Sequence, residues 1–351
     1  PIANSATMAV LFEEWADDEA TARRMISQGE VKLRSAQEFD AVVPLAAVLS
    51  PGMMVQVVEN RGRPGPRIAS PLNGGNGPAL RLGMCSPDVV RHLRWLNGDL
   101  ADAIRQTAQR GVPLLELANQ GLEKGDDCHG RTPAATAILA RQINADHAGS
   151  GASDKVATFL RESPSFFLNL WMAAAGCMLA AARGVDGSSM VTAIGANGED
   201  FGVQISGLPG MWFTANAVPP VGRLEAGFSP ADCLGAIGDS AVVDALGLGA
   251  MSLYEVPDQL AVLEDYMPAQ GRSLAQMLMP ATHPAFNAFK VHVGLNALRV
   301  SALARTPAIS LGIIHKQGLR GRIGGGIYSP PVDPFDAALG RLQSGSQVLN
   351  A

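Results

Sequence analysis

A change of hydrophobic period near Gly187 limits the folds open to this chain more than any other feature of its sequence. Before Gly187, apolar residues recur at helical spacing, and the most apolar segment, Phe166 to Ala182, is typical of a buried helix. After Gly187, two apolar runs at strand spacing, Ser188 to Ala196 and Phe201 to Ser206, flank Asn197-Gly198, a strong signal for a hairpin with both central residues at positive φ. A helical block ahead of hairpin-linked strands predicts an α+β fold.

Pairs of a capping residue and a proline predict where several helices begin. A polar N-cap followed by proline at the first helical position occurs at Ser86-Pro87, Thr132-Pro133 and Ser163-Pro164, and again at Ser229-Pro230 and Asp333-Pro334. Other stretches with helical spacing are 6–29, 99–109, 113–124, 132–147 and 153–161.

Apolar, β-branched runs predict strands at 44–48, 53–58 and 308–314, with a further one at 211–215. Residues 61–78 are rich in Gly and Pro and predict a long loop. We therefore expect a several-part chain with a helical middle region flanked by mixed α/β parts. The expected parts are an N-terminal α/β part (1–84), a helical part (85–185) and a C-terminal α+β part with the hairpin and a Gly-rich loop (186–351).

Charge and apolar content restrict the class of function. Hydrophobic residues make up 47% of the 351 residues, which excludes a disordered chain. The net charge is -5, and Lys and Arg are scattered, so we expect no nucleic-acid partner. The densest basic stretch, Lys316 to Arg322, is still sufficient to hold a small anion.

The remaining bulk features favour a cytoplasmic protein. The run from Phe166 to Ala182 is marginal for a hydrocarbon core of about 30 Å, so we expect no membrane association. The four cysteines form no CxxC pair, and the start of the chain does not resemble a signal peptide. The apolar helix at 164–183 suggests a homo-oligomer.

The first candidate site is the segment Gly125 to Arg131, between one helix and the next. Asp127, Cys128, His129 and Arg131 bring together a carboxylate, a thiol, an imidazole and a guanidinium, which suits acid/base work or the clamping of a substrate carboxylate. Cys128 is a candidate nucleophile because His129 and Arg131 are near it in sequence. No second His or Cys has ligand spacing, so no metal is expected, and a polar turn between helices explains the same residues.

The second candidate is the segment Ile313 to Gly326. An apolar strand ends at His315 and Lys316, and the glycines Gly324, Gly325 and Gly326 predict a turn whose N–H groups approach an anionic ligand, ahead of a helix. The alternative is a flexible connector with tight turns.

The third candidate is a set of amide side chains. Asn60 and Asn73 follow strand-like runs, and Asn169 lies on the most apolar helix, so each is able to orient an amide or ureide group. Ordinary turn chemistry explains Asn60 and Asn73 equally well, and Asn169 needs partners of some kind wherever it is buried. Asp239 is a candidate helix cap.

Five segments, read together, resemble a known family. They are GDDCHGRTPAATA, FFLNLWMAAA, GEDFGVQISGLPGMWFTA, IGDSAVVDALGLGA and GIIHKQGLRGRIGGGIYSPP. In this order they resemble the YlbE/YahG-like bacterial family, long a domain of unknown function that includes a component of oxamate carbamoyltransferase. The resemblance covers about residues 12–342. The chain differs from the family pattern at residues 35–40. The resemblance also implies that typical members carry a further N-terminal segment.

The resemblance implies an enzyme that acts on a carbamoyl, amide or ureide C–N bond of a small anionic substrate, by transfer or hydrolysis, in nitrogen-compound catabolism, without a cofactor. His129 or His315 would move a proton, Asp127 would orient one of the reacting groups, and Arg131 and Lys316 would bind the anion. Two alternatives remain open: a non-catalytic subunit that works with partner subunits, and a lyase or isomerase on a small heterocycle. The enzymatic interpretation predicts that segments 126–131 and 313–326 meet in one pocket.

Overall fold

The computed structural model describes residues 1–62, 64–146 and 153–348; residue 147 of the predicted helix 132–147 and residues 349–351 of the predicted C-terminal part lie outside this description. The described α-helices are α1 (Ile2–Phe12), α2 (Glu19–Ser27), α3 (Pro87–Trp95), α4 (Ala101–Arg110), α5 (Leu114–Leu122), α6 (Pro133–Asp146), α7 (Ser153–Arg161), α8 (Phe167–Ala180), α9 (Ala241–Leu246), α10 (Pro257–Leu263), α11 (Gly271–Leu278), α12 (Ala297–Leu303) and α13 (Asp333–Val348). The described strands are β1 (Val55–Glu59), β2 (Arg67–Pro71), β3 (Val191–Asn197), β4 (Asp200–Ile205), β5 (Phe213–Asn216), β6 (Val221–Leu224), β7 (Ile237–Gly238), β8 (Ala281–Thr282), β9 (His292–Val293), β10 (Ile309–Ile314) and β11 (Arg322–Tyr328).

The architecture is mixed α and β, as predicted. Helices α3 to α8 follow one another with no described strand between β2 and β3, which confirms the helical middle region. The described strands form small antiparallel sheets with the orders β1-β2, β10-β11-β6, β5-β4-β3-β7 and β8-β9. The three-stranded sheet joins segments that are far apart in the sequence, since β6 pairs with β11, about a hundred residues later.

Several helix starts are where the proline pairs predict them. Helix α3 begins at Pro87, α6 at Pro133 and α13 at Asp333. Ser229-Pro230, by contrast, opens only a 3-10 turn, Pro230–Asp232. The predicted continuous helix over 6–29 is wrong, since α1 and α2 are separate, whereas α3 and α4 are joined through a π-helical turn at Leu96–Leu100.

The predicted hairpin is confirmed, with its turn one residue further along the chain. Ala196 pairs with Phe201, so the two central residues are Gly198 and Glu199, and of these only Gly198 has a positive φ, +95°. Asn197 is the last strand residue, and its Oδ1 accepts from the N–H groups of Glu199 and Asp200 at 2.9 and 2.7 Å. Glycine at the first central position is the pattern of a type II′ turn.

Three predictions about strands and loops are wrong. Residues 44–48 are irregular, the Gly324–Gly326 segment is the middle of β11 instead of a turn, and the predicted loop over 61–78 contains β2. The reason for the second error is steric: a Cβ added at Gly326 would lie 2.2 Å from the carbonyl oxygen of Val221, and one at Gly324 would lie 2.4 Å from that of Arg223. These glycines allow β11 and β6 to approach closely. Close approach of two strands is thus a reason for glycine besides the turn that was predicted.

The largest apolar cluster of described residues extends from Val42 to Leu339 and crosses both predicted boundaries, near 85 and near 186. Its centre is α8, where Phe167 and Trp171 are fully buried and stacked. Because α8 packs within its own chain, its apolar surface gives no reason to expect an oligomer, and both the homo-oligomer and the three-part division stay predictions. None of the described helices combines the length and the hydropathy needed to cross a membrane.

Candidate functional site

A cavity of about 940 Å³ lies between segment 32–51, which is irregular apart from a 3-10 turn at Ala36–Phe39, and the four-stranded sheet β5-β4-β3-β7. Its volume is in the range of pockets that hold small organic ligands, ~300–1,000 Å³. Much of the wall is apolar, and Val43, Ala47 and Ile237 are among the residues that line it. The polar groups in such a wall set the orientation of a ligand.

The polar centre of the wall is a hydrogen-bonded pair, Asp239 and Gln37. Gln37 Nε2 donates to Asp239 Oδ1 at 2.7 Å and to the carbonyl oxygen of Ile194 at 3.0 Å. The second carboxyl oxygen, Asp239 Oδ2, accepts from the backbone N–H of Val43 at 2.9 Å. Burial raises the pKa of Asp239 to about 6, although the Val43 N–H and Gln37 act to lower it. The carboxyl group is therefore fixed in place and titrates near neutral pH.

The backbone around Asp239 explains how the sequence places it there. Asp239 follows β7 and precedes α9, and its N–H donates to the carbonyl oxygen of Val43 at 3.0 Å. Gly238 has φ +109°, a conformation that residues with a side chain rarely adopt, and a Cβ there would lie 3.2 Å from the backbone of Leu45. A Cβ at Gly195, on the neighbouring strand, would lie 2.7 Å from Asp239 Oδ1, so glycine there leaves room for the pair.

The mouth of the cavity carries positive and apolar side chains. Lys32 and Arg34 are exposed there, and Arg34 pairs with Glu38 at 2.5 Å and lies over the ring of Phe39. Leu33 and Phe39 are 47% and 62% exposed, which is unusual for large apolar side chains beside a cavity.

The Gln37–Asp239 pair leaves the side-chain carbonyl oxygen of Gln37 as an acceptor for a ligand. Both N–H bonds of Gln37 are used, by Asp239 and Ile194, and no described N–H group donates to its Oε1. Thr214 and Asn197 add a hydroxyl and an amide to the same wall. A carbonyl acceptor with nearby donors suits a ligand that carries a primary amide or carbamoyl group.

The predicted acidic pair at 126–127 supports local structure. Asp126 accepts from the N–H groups of Ala134 and Ala135 at 3.1 and 2.8 Å, which caps α6. Asp127 Oδ1 accepts from the N–H groups of His129 and Arg131, and its Oδ2 accepts from Gln259 at 3.2 Å. Both carboxylates are therefore occupied, by N–H groups of the loop and of α6 and by the side chain of Gln259 on α10.

Cys128 is fully buried, with a φ of +61°, and its thiol donates to the carbonyl oxygen of Ala118 at 3.7 Å. Burial raises the pKa of Cys128 well above its ordinary value, and the carboxylates of Asp127 and Asp126 raise it further. The group is held as a thiol, so its surroundings do not support the role of a thiolate nucleophile.

His129 is buried beside a carboxylate that the sequence did not single out. Its Nδ1 lies 2.7 Å from Asp244 Oδ2, although the ring N–H is not aligned with that oxygen. Asp244 Oδ1 accepts from the N–H groups of Ala250 and Ser310 at 2.8 and 3.2 Å. Burial acts to lower the pKa of His129, but Asp244 and the more distant Asp127 outweigh it, so the pKa is raised.

Arg131 lies at the surface end of this loop. Its Nη2 is 3.4 Å from Asp258 Oδ2, and the two side chains are 41% and 71% exposed, while Arg131 Nε is shielded from solvent without a hydrogen-bond partner among the described residues. A pair with this exposure contributes little to stability.

His315 and Lys316 stabilise the loop before β11. His315 Nδ1 accepts from the N–H of Gln317 at 3.2 Å, and its ring packs against Phe228. Lys316 Nζ donates to the carbonyl oxygen of Ala231 at 2.6 Å.

The predicted amide residues are divided between two places. Asn73 and Asn169 meet: Asn169 Nδ2 donates to Asn73 Oδ1 at 2.8 Å and to the carbonyl oxygen of Pro71 at 3.1 Å, and Asn73 Nδ2 donates to that of Leu80. Asn60 is exposed and accepts from the N–H of Gly62 at 2.8 Å, as in an ordinary turn.

The expected shared pocket of segments 126–131 and 313–326 is not found around their histidines, although Gly326 pairs with Leu311, next to Ser310. Gly130 lies beside Ser310, at the start of β10, whereas His315 follows the end of the same strand. Five residues of extended chain separate them by about 16 Å. His129 and His315 therefore do not share a pocket.

Sequence reasoning missed Gln37 and Asp244, and it treated Asp239 chiefly as a helix cap and only as a minor functional candidate. Asp244 had a usable signal, a single acid within the apolar run Ala241–Ala250. Gln37 had none, because its partners Asp239 and Ile194 are more than 150 residues away. No group of three or more His, Cys, Asp or Glu side chains suited to a metal ion occurs in the described ranges.

Comparisons with a family model and with individual proteins agree on one family. The family described as "Oxamate carbamoyltransferase subunit AllG" matches residues 31–240, a range that includes nearly all of the cavity wall. The chain is 32% identical to oxamate carbamoyltransferase subunit AllG of Escherichia coli (strain K12), over 97% of this chain and 85% of that protein. It is 29% identical to the uncharacterized protein YahG of the same strain, over 95% of this chain and 74% of that one.

A solved structure shares the fold. It is the crystal structure of a conserved protein of unknown function from Enterococcus faecalis V583, with a TM-score of 0.90 and 28% sequence identity. The match covers 98% of this chain and 85% of that one.

Proposed function

This chain belongs to the oxamate carbamoyltransferase subunit AllG family, and from that membership we propose that it is a subunit of a carbamoyltransferase assembly. In this proposal its cavity binds the small anionic substrate that carries a carbamoyl or amide group. Partner subunits complete the reaction site.

The observation that carries the proposal is the buried Gln37–Asp239 pair in the cavity wall. Asp239 holds the amide of Gln37 at 2.7 Å and so fixes the direction of its free carbonyl oxygen. A substrate N–H donates to that oxygen, and Thr214 and Asn197 contact the other end of the same group. Asp239 acts here as a positioning residue, because its two oxygens are already occupied.

The charges at the mouth favour an anionic substrate. Lys32 is exposed without an ion-pair partner among the described residues, and the Arg34–Glu38 pair is exposed enough to exchange its partner. A substrate carboxylate at the mouth would place its amide end towards Gln37. The exposed Leu33 and Phe39 beside it fit a surface that a partner subunit covers.

Binding to the isolated chain tests the site. Titration calorimetry with oxamate and with ureido acids should give binding heat for the wild type. Thr214→Tyr places a ring in the cavity from an exposed strand position and should abolish that heat. Val221→Tyr is the matched control, since Val221 is a similarly exposed β-branched residue on β6, outside the cavity wall. Equal binding by Thr214→Tyr and the wild type would show that the cavity is not the site.

A second candidate function is C–N bond chemistry by this chain itself, by carbamoyl transfer or hydrolysis. The observation that favours it is the His129–Asp244 pair, since a carboxylate beside an imidazole raises its basicity and is a common arrangement for general-base work. Release of ammonia by the isolated chain, or of carbamoyl phosphate when inorganic phosphate is supplied as the acceptor, would support this function.

A further inference from the structure

Two glycines open the middle of the sheet face that borders the cavity. Gly195 on β3 and Gly202 on β4 are direct cross-strand partners, so side chains at these positions would point to the same face. A Cβ at Gly195 would lie 2.7 Å from Asp239 Oδ1, and one at Gly202 would lie 3.0 Å from the six-membered ring of Trp212. Each glycine therefore makes room for a side chain from another part of the chain, and all four residues line the cavity.

The glycine pair places the amide of Gln37 beside the indole of Trp212. Directly opposed positions of an antiparallel pair have Cβ atoms about 4.5–5.5 Å apart. Gln37 Nε2 would be only 2.9 Å from a Cβ at Gly195, and the indole covers the partner position, Gly202. Trp212 is half-buried, and it borders the cavity. An amide and an aromatic ring are therefore neighbours in one wall.

The size of the cavity and the character of this wall exceed what a very small acid uses. The volume of about 940 Å³ is near the top of the range for small-molecule pockets, ~300–1,000 Å³. A two-carbon acid such as oxamate would leave most of that space to water. An indole also adds little to the binding of such an acid, because stacking needs a second flat π system. A planar ring uses both neighbours, since its face contacts the indole while its edge meets the amide.

From this juxtaposition of an amide acceptor and an indole we propose that the cavity binds a planar cyclic ureide that carries a carboxylate, a pyrimidine-type ring such as that of orotate. The inference rests on the proposed function and names the class of its anionic substrate. The ring stacks on Trp212, and its imide N–H donates to Gln37 Oε1. Its carboxylate lies at the mouth, where Lys32 and Arg34 supply positive charge.

Titration of the isolated chain with orotate and with dihydroorotate tests the ring. The two acids share the carboxylate and the imide edge, but only the ring of orotate is flat and conjugated. We expect the wild type to bind orotate more tightly by about fivefold or more, the usual contribution of stacking between a base and an aromatic side chain. The C5 proton of bound orotate should also move upfield in the NMR spectrum, because it lies against the indole.

Trp212→Leu should remove both the preference for orotate and the upfield shift. Trp15→Leu is the matched control, since Trp15 is an exposed tryptophan outside the cavity wall, and it should keep both. The comparison of the two acids on the wild type does not depend on the folding of either variant.

Equal affinity of the wild type for the two acids, or a preference for orotate that survives Trp212→Leu, would overturn the ring site. Binding of oxamate without binding of orotate would overturn it too and would leave the proposed function standing. Orotate binding that depends on Trp212, in a chain that binds neither oxamate nor ureido acids, would support the ring site and count against the carbamoyltransferase proposal.

Discussion

At the residue scale, Asp239 shows how burial and hydrogen bonding compete at one carboxyl group. Two donors stabilise its charged form, yet burial prevails and the pKa rises from 3.8 to about 6. A capping signal for Asp239 was visible in the sequence, but its pKa was not predictable, because that pKa depends on burial by the surrounding wall and on the bonds from Val43 and Gln37. Its effect on stability has a definite sign.

Because the folded state holds this proton to a higher pH than the unfolded state, the free energy of unfolding should fall as pH rises from about 4 to about 6. The contribution is fully present below the unfolded pKa and lost above the folded one, and it amounts to about 3 kcal/mol. Asp239→Asn cannot titrate and should lack this decline. Urea unfolding of both proteins at pH values from 4 to 7 measures it.

The control for this experiment is Asp200→Asn, an exposed aspartate that also borders the cavity. It should follow the wild-type pH profile. If the difference in unfolding free energy between the wild type and Asp239→Asn stays constant across the range, the raised pKa is wrong.

At the scale of elements, the sequence predicted what depends on neighbours in the chain. Proline pairs located α3, α6 and α13, and the Asn-Gly signal located the β3–β4 hairpin. Strand β6 was not predictable in this way, because it is four residues long and pairs with β11 across about a hundred residues. The glycines of β11 predicted a turn because glycine serves turns and close strand approach equally well.

Two neighbouring glycines of β11 show which of them is required for the close approach of β6. Gly326→Ala would place a methyl 2.2 Å from the carbonyl oxygen of Val221, and we expect it to destabilise the fold by about 1–3 kcal/mol or more. Gly325→Ala meets nothing closer than 4.0 Å, at the carbonyl oxygen of Leu311, so it should be close to neutral. Thermal unfolding of the two variants makes the comparison, and equal melting temperatures would contradict the close approach of β11 and β6.

At the scale of the whole molecule, the difficulty was to predict which segments meet. Asn73 and Asn169 were candidates on separate grounds, and the fold brings them to 2.8 Å. His129 and His315 were expected to share a pocket, but the loop of His129 lies beside the start of β10 and His315 follows its end, because a single strand carries its two ends apart. Local pattern identifies polar residues that need partners, but the partner is set by the packing of the whole chain.

The two candidate functions differ in whether the chain acts alone. A subunit that only binds substrate should leave oxamate and ureido acids unchanged in isolation, and it should restore transfer when mixed with its partner subunits. Thr214→Tyr should then remove activity from the assembly, whereas Val221→Tyr should not.

His129→Gln tests the other function, catalysis by the chain itself. The Gln side chain keeps a neutral donor near Asp244. A substitution that left this buried carboxylate unpaired would cost about 3–5 kcal/mol of stability. Ammonia or carbamoyl phosphate release by the isolated wild type, lost in His129→Gln and kept in His315→Ala, would assign the chemistry to this chain and reject the binding-subunit proposal.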